Sequence, residues 1–193
     1  MDNAVVFVVS TLMNLYIIAF IVRIILQWQR ADYRNPLVQS ILTVTNPLVL
    51  PLRRFVPSAY GLDTSSLVVA VGLKAAEFTI LLTLFCDVTP SLIQVLGMTG
   101  LGLARTLLNL YFFLILISVI LSWVSTGSYN PASQLVGQLA EPVLKPFRKL
   151  LPPMGGIDLT PIFAIIAIQA LMMLLPQGLF LGGIACSPAV RMI

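Results

Sequence analysis

The stretch at residues 35–63 occurs twice. Adding 95 to each number carries Asn35, Pro36, Gln39, Pro47, Pro51, Arg53, Pro57, Gly61 and Asp63 onto Asn130, Pro131, Gln134, Pro142, Pro146, Arg148, Pro152, Gly156 and Asp158, with Trp28 falling on Trp123 and no gap. A gapless match of residue types as uncommon as Trp, Pro and Gly is an internal duplication, which constrains a fold before any other signal is read. The chain therefore divides into two tandem units, residues 1–95 and 96–193.

Each unit must live in a bilayer. The chain is 59% hydrophobic and only 9% charged, where soluble domains carry about a quarter charged residues. Four apolar runs, at about 4–28, 67–85, 105–124 and 162–184, approach or exceed the roughly 20 residues a helix needs to cross the hydrocarbon core. The first has no basic start or small-residue cleavage site and is expected to be a span, not a removable signal. The expected fold is an all-α membrane protein with four transmembrane helices in two tandem hairpin repeats, each repeat carrying a proline-kinked amphipathic interfacial segment, at 35–57 and 130–152.

The interfacial segments are too polar and too rich in proline to cross. Asn35-Pro36 is a helix start, with Asn as N-cap and Pro at the first helical position. Leu37, Ile41, Val44 and Leu48 then mark one apolar face. Asn46-Pro47 repeats the start signal and Pro51 lies too deep for a first turn, so a broken helix pair is expected, closed by Arg53-Arg54 and Pro57. In the second copy, after Asn130-Pro131, Leu135, Val136, Leu139, Val143 and Phe147 form the apolar side and Lys145, Arg148 and Lys149 carry the charge. Asp63 and Asp158 stand where the next helices begin and read as capping residues.

Three polar intrusions mark the spans. Arg23 lies near the end of the first and reads as a snorkelling anchor. Asn14 and Asn109 occupy matching positions and are expected to serve as packing groups between the halves. Lys74 and Glu77 lie three residues apart on one helical face, an intramembrane ion pair that the second unit replaces with Gln169 and Met172. Residues 86–104, with Gly97, Gly100 and Gly102, read as a connection that ends where Arg105 opens the third span.

Composition narrows the chemistry. The chain has no histidine, which removes the commonest general base and transition-metal ligand, so no metal and no cofactor are expected. Cys86 and Cys186 follow no redox or metal spacing. Asp63 and Asp158 lack the nucleophile–base pattern of a catalytic site, so the expectation is a protein that is not an enzyme. The few cations flank apolar runs, which argues against nucleic-acid binding. Arg30, Arg34, Arg53, Arg54, Lys145, Arg148 and Lys149 share the connections with the interfacial segments, and Arg105 and Arg191 stand opposite. That bias predicts cytoplasmic interfacial segments and periplasmic termini in a multi-pass protein of a bacterial inner membrane.

The pattern Asn-Pro, then Pro-x3-Pro-x-Arg-[Arg/Lys], then Pro, then Gly-x-Asp, flanked by an apolar hairpin, resembles the YGGT family of small bacterial and plastid membrane proteins, and its two copies resemble the proteobacterial branch. The resemblance implies no catalytic residues. It implies roles such as osmotic-stress tolerance linked to potassium uptake, cytochrome-complex assembly or cell division. Departures are Asp63-Thr64-Ser65-Ser66, without the proline found at Pro161, and Asn46 against Glu141. Two functions follow as expectations. One is a non-enzymatic scaffold, assembly or stress-tolerance factor whose Arg53, Arg54, Lys145, Arg148 and Lys149 meet anionic membrane lipids, other membrane proteins or a second copy. The other is monovalent cation transport through the Lys74–Glu77 pair.

Overall fold

A computed structural model describes residues 2–56, 63–85, 89–124, 130–150 and 158–176. Six helices and no strand occur among them: α1 (Asp2–Trp28), α2 (Pro36–Leu52), α3 (Thr64–Phe85), α4 (Leu92–Val124), α5 (Pro131–Leu150) and α6 (Thr160–Leu174). The stretches Ala4–Trp28, Thr64–Thr83 and Leu92–Trp123 of α1, α3 and α4 are long and apolar enough to cross a membrane. The described part of α6 is 15 residues, and the end of the expected fourth span lies outside the described residues. So do Pro57, Gly61, Pro152, Gly156, both cysteines and Arg191.

α1 closes with a left-handed residue. Arg30 has φ 52°, Ala31 N–H donates to the Leu26 carbonyl at 2.9 Å and Arg30 N–H to that of Gln27 at 3.1 Å. This is a Schellman stop, with arginine where glycine costs least.

α2 starts as expected, since Asn35 Oδ1 accepts from Leu37 N–H at 2.9 Å. It does not break at Pro47 or Pro51, and α5 likewise runs through Pro142 and Pro146. In each helix the prolines are four residues apart, so the carbonyls they orphan, at Thr43 and Pro47 and at Gln138 and Pro142, fall on one side and the other ladder bonds survive. Leu37, Val44 and Leu48 are exposed, while Val38, Thr45 and Val49 are buried. The side bearing Thr45 is the one that meets a buried charge.

α4 begins at Leu92, not at Arg105. Ser91 and Gln94 form a capping box, Ser91 N–H donating to Gln94 Oε1 at 2.9 Å and Gln94 N–H to Ser91 Oγ at 3.4 Å. The glycines of the supposed connection are helical. At Gly102 α4 packs tightly on α3, because a Cβ there would lie 2.7 Å from Lys74 Cε and 2.8 Å from Phe78 Cε2.

The main core lies between the two units: Ile17, Ile21 and Ile25 of α1 meet Tyr111, Leu114 and Ile115 of α4, with Leu139 of α5 and Ile168 of α6 closing it. Across the duplication α3 packs on α4, but among the described residues α6 does not touch α1. The units therefore pack unequally.

Candidate functional site

Arg23, Arg53 and Asp63 of the first unit converge where α1, α2 and α3 meet. Arg23 is not a snorkelling anchor; it is 4% exposed and Asp63 is fully buried. Arg23 Nε donates to Asp63 Oδ2 at 3.0 Å, and its Nη1 donates to Thr45 Oγ1 at 2.7 Å and Asn46 Oδ1 at 2.9 Å. Asn46, expected to start a second helix, thus spends its oxygen on Arg23. A buried guanidinium needs a counter-ion and further acceptors, and here they come from α2 and from the residue before α3.

Asp63 is held from several sides. Arg53 Nη2 donates to Oδ2 at 3.0 Å, Ser66 Oγ to the same oxygen at 2.8 Å and Ser66 N–H to Oδ1 at 3.4 Å. The last bond makes it the cap expected for α3. Burial alone would push this carboxyl up, but the bonds from Ser66, Arg53 and Arg23 with the charge of Arg53 outweigh burial and hold it below the usual carboxylate value. Ser65 Oγ adds a bond of 2.6 Å to the Val56 carbonyl beyond α2. The result is a clasp fastening α2 to α1 and to the start of α3.

A second buried group lies deeper. Lys74 Nζ and Glu77 Oε2 are 2.9 Å apart, with side-chain exposures of 3% and 0%. Asn14 bridges them, its Oδ1 accepting from Lys74 at 2.8 Å and its Nδ2 donating to Glu77 Oε1 at 2.9 Å. Asn14 therefore joins α1 to α3 inside one unit and not the two halves, as expected from sequence; its counterpart Asn109 is exposed. The halves are tied instead by Asn35 Nδ2, which donates to the Pro131 carbonyl at 2.9 Å, so the two Asn-Pro motifs meet.

The second unit does not reproduce the clasp. Ser118 stands where Arg23 does and turns its hydroxyl to the Ile115 carbonyl at 2.7 Å. Arg148 pairs at the surface with Glu141 at 2.8 Å and Asp158 at 3.5 Å, all three side chains being 43–46% exposed. Asp158 Oδ1 accepts from Thr160 N–H at 2.9 Å at the start of α6. Bonds from the Thr160 hydroxyl and N–H, aided by Arg148, hold its carboxyl below the usual value.

The basic residues face outward. Arg53, Arg54, Lys145, Arg148 and Lys149 are all exposed, and Arg54, Lys145 and Lys149 form no ion pair among the described residues. No three His, Cys, Asp or Glu side chains converge to hold a metal among the described residues. Sequence reasoning missed the partners of Arg23, although an arginine inside an apolar run implies a carboxylate elsewhere.

The CCB3/YggT family matches residues 2–84 and again 98–179, once per unit. An uncharacterised protein of Pseudomonas aeruginosa is 43% identical over 180 residues, 93% of this chain and 91% of the relative. YggT of Escherichia coli, also uncharacterised, is 37% identical over 172 residues, 89% of this chain and 88% of the relative. The uncharacterised protein ycf19 of Porphyra purpurea is 36% identical over 75 residues, 38% of this chain and 79% of the relative. No solved structure matches.

Proposed function

The chain belongs to the CCB3/YggT family, and on that premise we propose that it is a non-enzymatic membrane scaffold, acting in assembly or osmotic-stress tolerance through a basic face formed by α2 and α5. One observation carries the reading: the inward side of α2 is locked to the spans through Arg23 and Asp63 while Arg53, Arg54, Lys145, Arg148 and Lys149 stay outside. Long cationic side chains on a fixed interfacial helix suit anionic headgroups and acidic partner surfaces. A four-span bacterial inner-membrane topology with this face cytoplasmic and the termini periplasmic accords with the excess of Lys and Arg in the connections.

The test uses Arg54, Lys145 and Lys149 changed together to Gln, because these three support no ion pair among the described residues. The variant should insert and fold like the wild type yet lose its partner-dependent function in cells. Wild-type behaviour would refute the docking face.

Cation transport is the second reading, and one observation favours it. Thr99, buried on α4 near Gly102, has an unpartnered hydroxyl. Against it, Lys74, Glu77 and Asn14 satisfy one another. Rubidium flux into liposomes that drops in Glu77→Gln would promote transport; flux no greater than in empty liposomes would remove it.

A further inference from the structure

A crevice of about 320 Å³ opens between α1, α3 and α4. Ile21 and Trp28 of α1, Leu67 and Ala70 of α3, and Ala104 and Tyr111 of α4 line it, and its remaining walls are aliphatic. The rise from Ile21 to Trp28, or from Ala104 to Tyr111, is about 10 Å at 1.5 Å per residue. That is most of one leaflet's share of a hydrocarbon core of about 30 Å. Its length, apolar lining and position among three spans suit one acyl chain.

The end marked by Trp28 and Leu67 is the interfacial one, and it is flanked by positive charge. Two residues beyond Trp28, Arg30 is exposed and forms no ion pair among the described residues. One turn before Leu67, the Asp63 carbonyl accepts its N–H and the Asp63 side chain holds Arg53, which is 41% exposed. Arg30 also occupies the left-handed stop of α1, where glycine would be less strained. A charged side chain at a position that disfavours it points to use of its charge. We propose that this crevice is a binding site for an acidic phospholipid, with one acyl chain between α1, α3 and α4 and the phosphate at Arg30 and Arg53. The proposal rests on the basic-face reading and names a lipid partner for its first half.

Trp28 is a built-in probe, because the chain has two tryptophans and Trp123→Phe leaves it alone. The full-length W123F protein is reconstituted in phosphatidylcholine vesicles in which a minor fraction is brominated on the acyl chains, either as phosphatidylglycerol or as phosphatidylcholine. Brominated phosphatidylglycerol should quench Trp28 severalfold more than brominated phosphatidylcholine at equal fraction. Arg30→Gly, which suits the left-handed position and so preserves the fold, should bring the ratio toward unity. Ala104→Phe, which fills the crevice, should reduce quenching by both lipids. Equal quenching by the two lipids, or a preference unchanged by Arg30→Gly, overturns the site. Equal quenching alongside functional loss in the Arg54/Lys145/Lys149 variant overturns the lipid site alone and leaves the docking face standing.

Discussion

The clasp makes an unequal prediction for its two ends. In Asp63→Asn, Arg23 keeps Thr45 and Asn46 as acceptors but loses its counter-ion at 4% exposure. Leaving a buried charge unpaired costs about 3–5 kcal/mol. In Arg23→Met, Asp63 still has Arg53 at 3.0 Å and both bonds from Ser66, so no buried charge is left unpaired; the three bonds of Arg23 are lost, of which the one to Asp63 is worth about 1.5–3 kcal/mol. The double variant Arg23→Met/Asp63→Leu removes both charges and should recover much of the Asp63→Asn loss, since apolar replacement of a buried pair is often near neutral. Equilibrium unfolding in mixed micelles, followed by tryptophan fluorescence, gives the three values. Single variants within about 0.5 kcal/mol of wild type, the range of uninvolved surface changes, would refute the clasp, as would a double variant no better than Asp63→Asn.

The same carboxylate sets a pH dependence. Its folded pKa is depressed, so the stability it supplies is fully present above the unfolded value of about 3.9 and is lost as pH falls through the lower folded value. The wild type should therefore hold its stability from neutrality to about pH 5 and lose it progressively below about pH 4. Asp63→Asn should show a shallower acid limb, and identical limbs would refute the assignment.

Other consequences can be measured in the same unfolding assay. Gly102→Ala should cost about 1–3 kcal/mol through overpacking, because the added methyl meets Lys74 and Phe78 below 3 Å, whereas Gly100→Ala has nothing within 4 Å and should be neutral or slightly stabilising. Equal effects would show that α3 and α4 do not approach at Gly102. Asn35→Ala should cost about 1 kcal/mol for the cap and about 1 more for the lost bond to Pro131, while Asn130→Ala loses only the cap. Matching losses would deny the link between the motifs. Glu77→Gln should lower stability by leaving Lys74 uncompensated and should leave liposome cation flux at the empty-vesicle level.

What the sequence revealed was local. The Asn35 and Asp63 caps and the Lys74–Glu77 pair all lie within three residues of their partners, so spacing on one chain segment determined them. Arg23 and Asp63 are 40 residues apart, and only docking of α2 between them brings Thr45 and Asn46 into play. The first part of α4, residues 92–104, failed to register for a different reason. Glycine weakens a helix in water, where the backbone can bond to solvent, but an apolar environment offers no such alternative and the ladder continues. The Ser91–Gln94 capping box marks the true start, a signal not weighed against the glycines.

The two copies have diverged at the positions that join α2 to α1 and α3 in the first unit. Arg23, Asn46, Arg53 and Asp63 sum to +1, whereas Ser118, Glu141, Arg148 and Asp158 sum to −1. The change is not a simple loss, because the guanidinium removed from α4 is accompanied by a carboxylate gained on α5. With Ser118 bonded within its own helix, Arg148 has no buried partner and pairs with Glu141 and Asp158 at the surface. α5 is then held mainly by apolar contact: Leu135, Leu139, Ala140 and Leu144 are buried, where α2 buries Thr45 beside an ion pair. A helix held by a directional buried charge is fixed in register, since a one-residue slip would strand the charge. A helix held by aliphatic packing can shift at smaller cost, and its Glu141–Arg148 and Arg148–Asp158 pairs, open to water, are screened and re-formed easily. The first unit is thus the one whose helix is fixed in register by buried charge, and α5 with its three cations is the one held mainly by apolar packing.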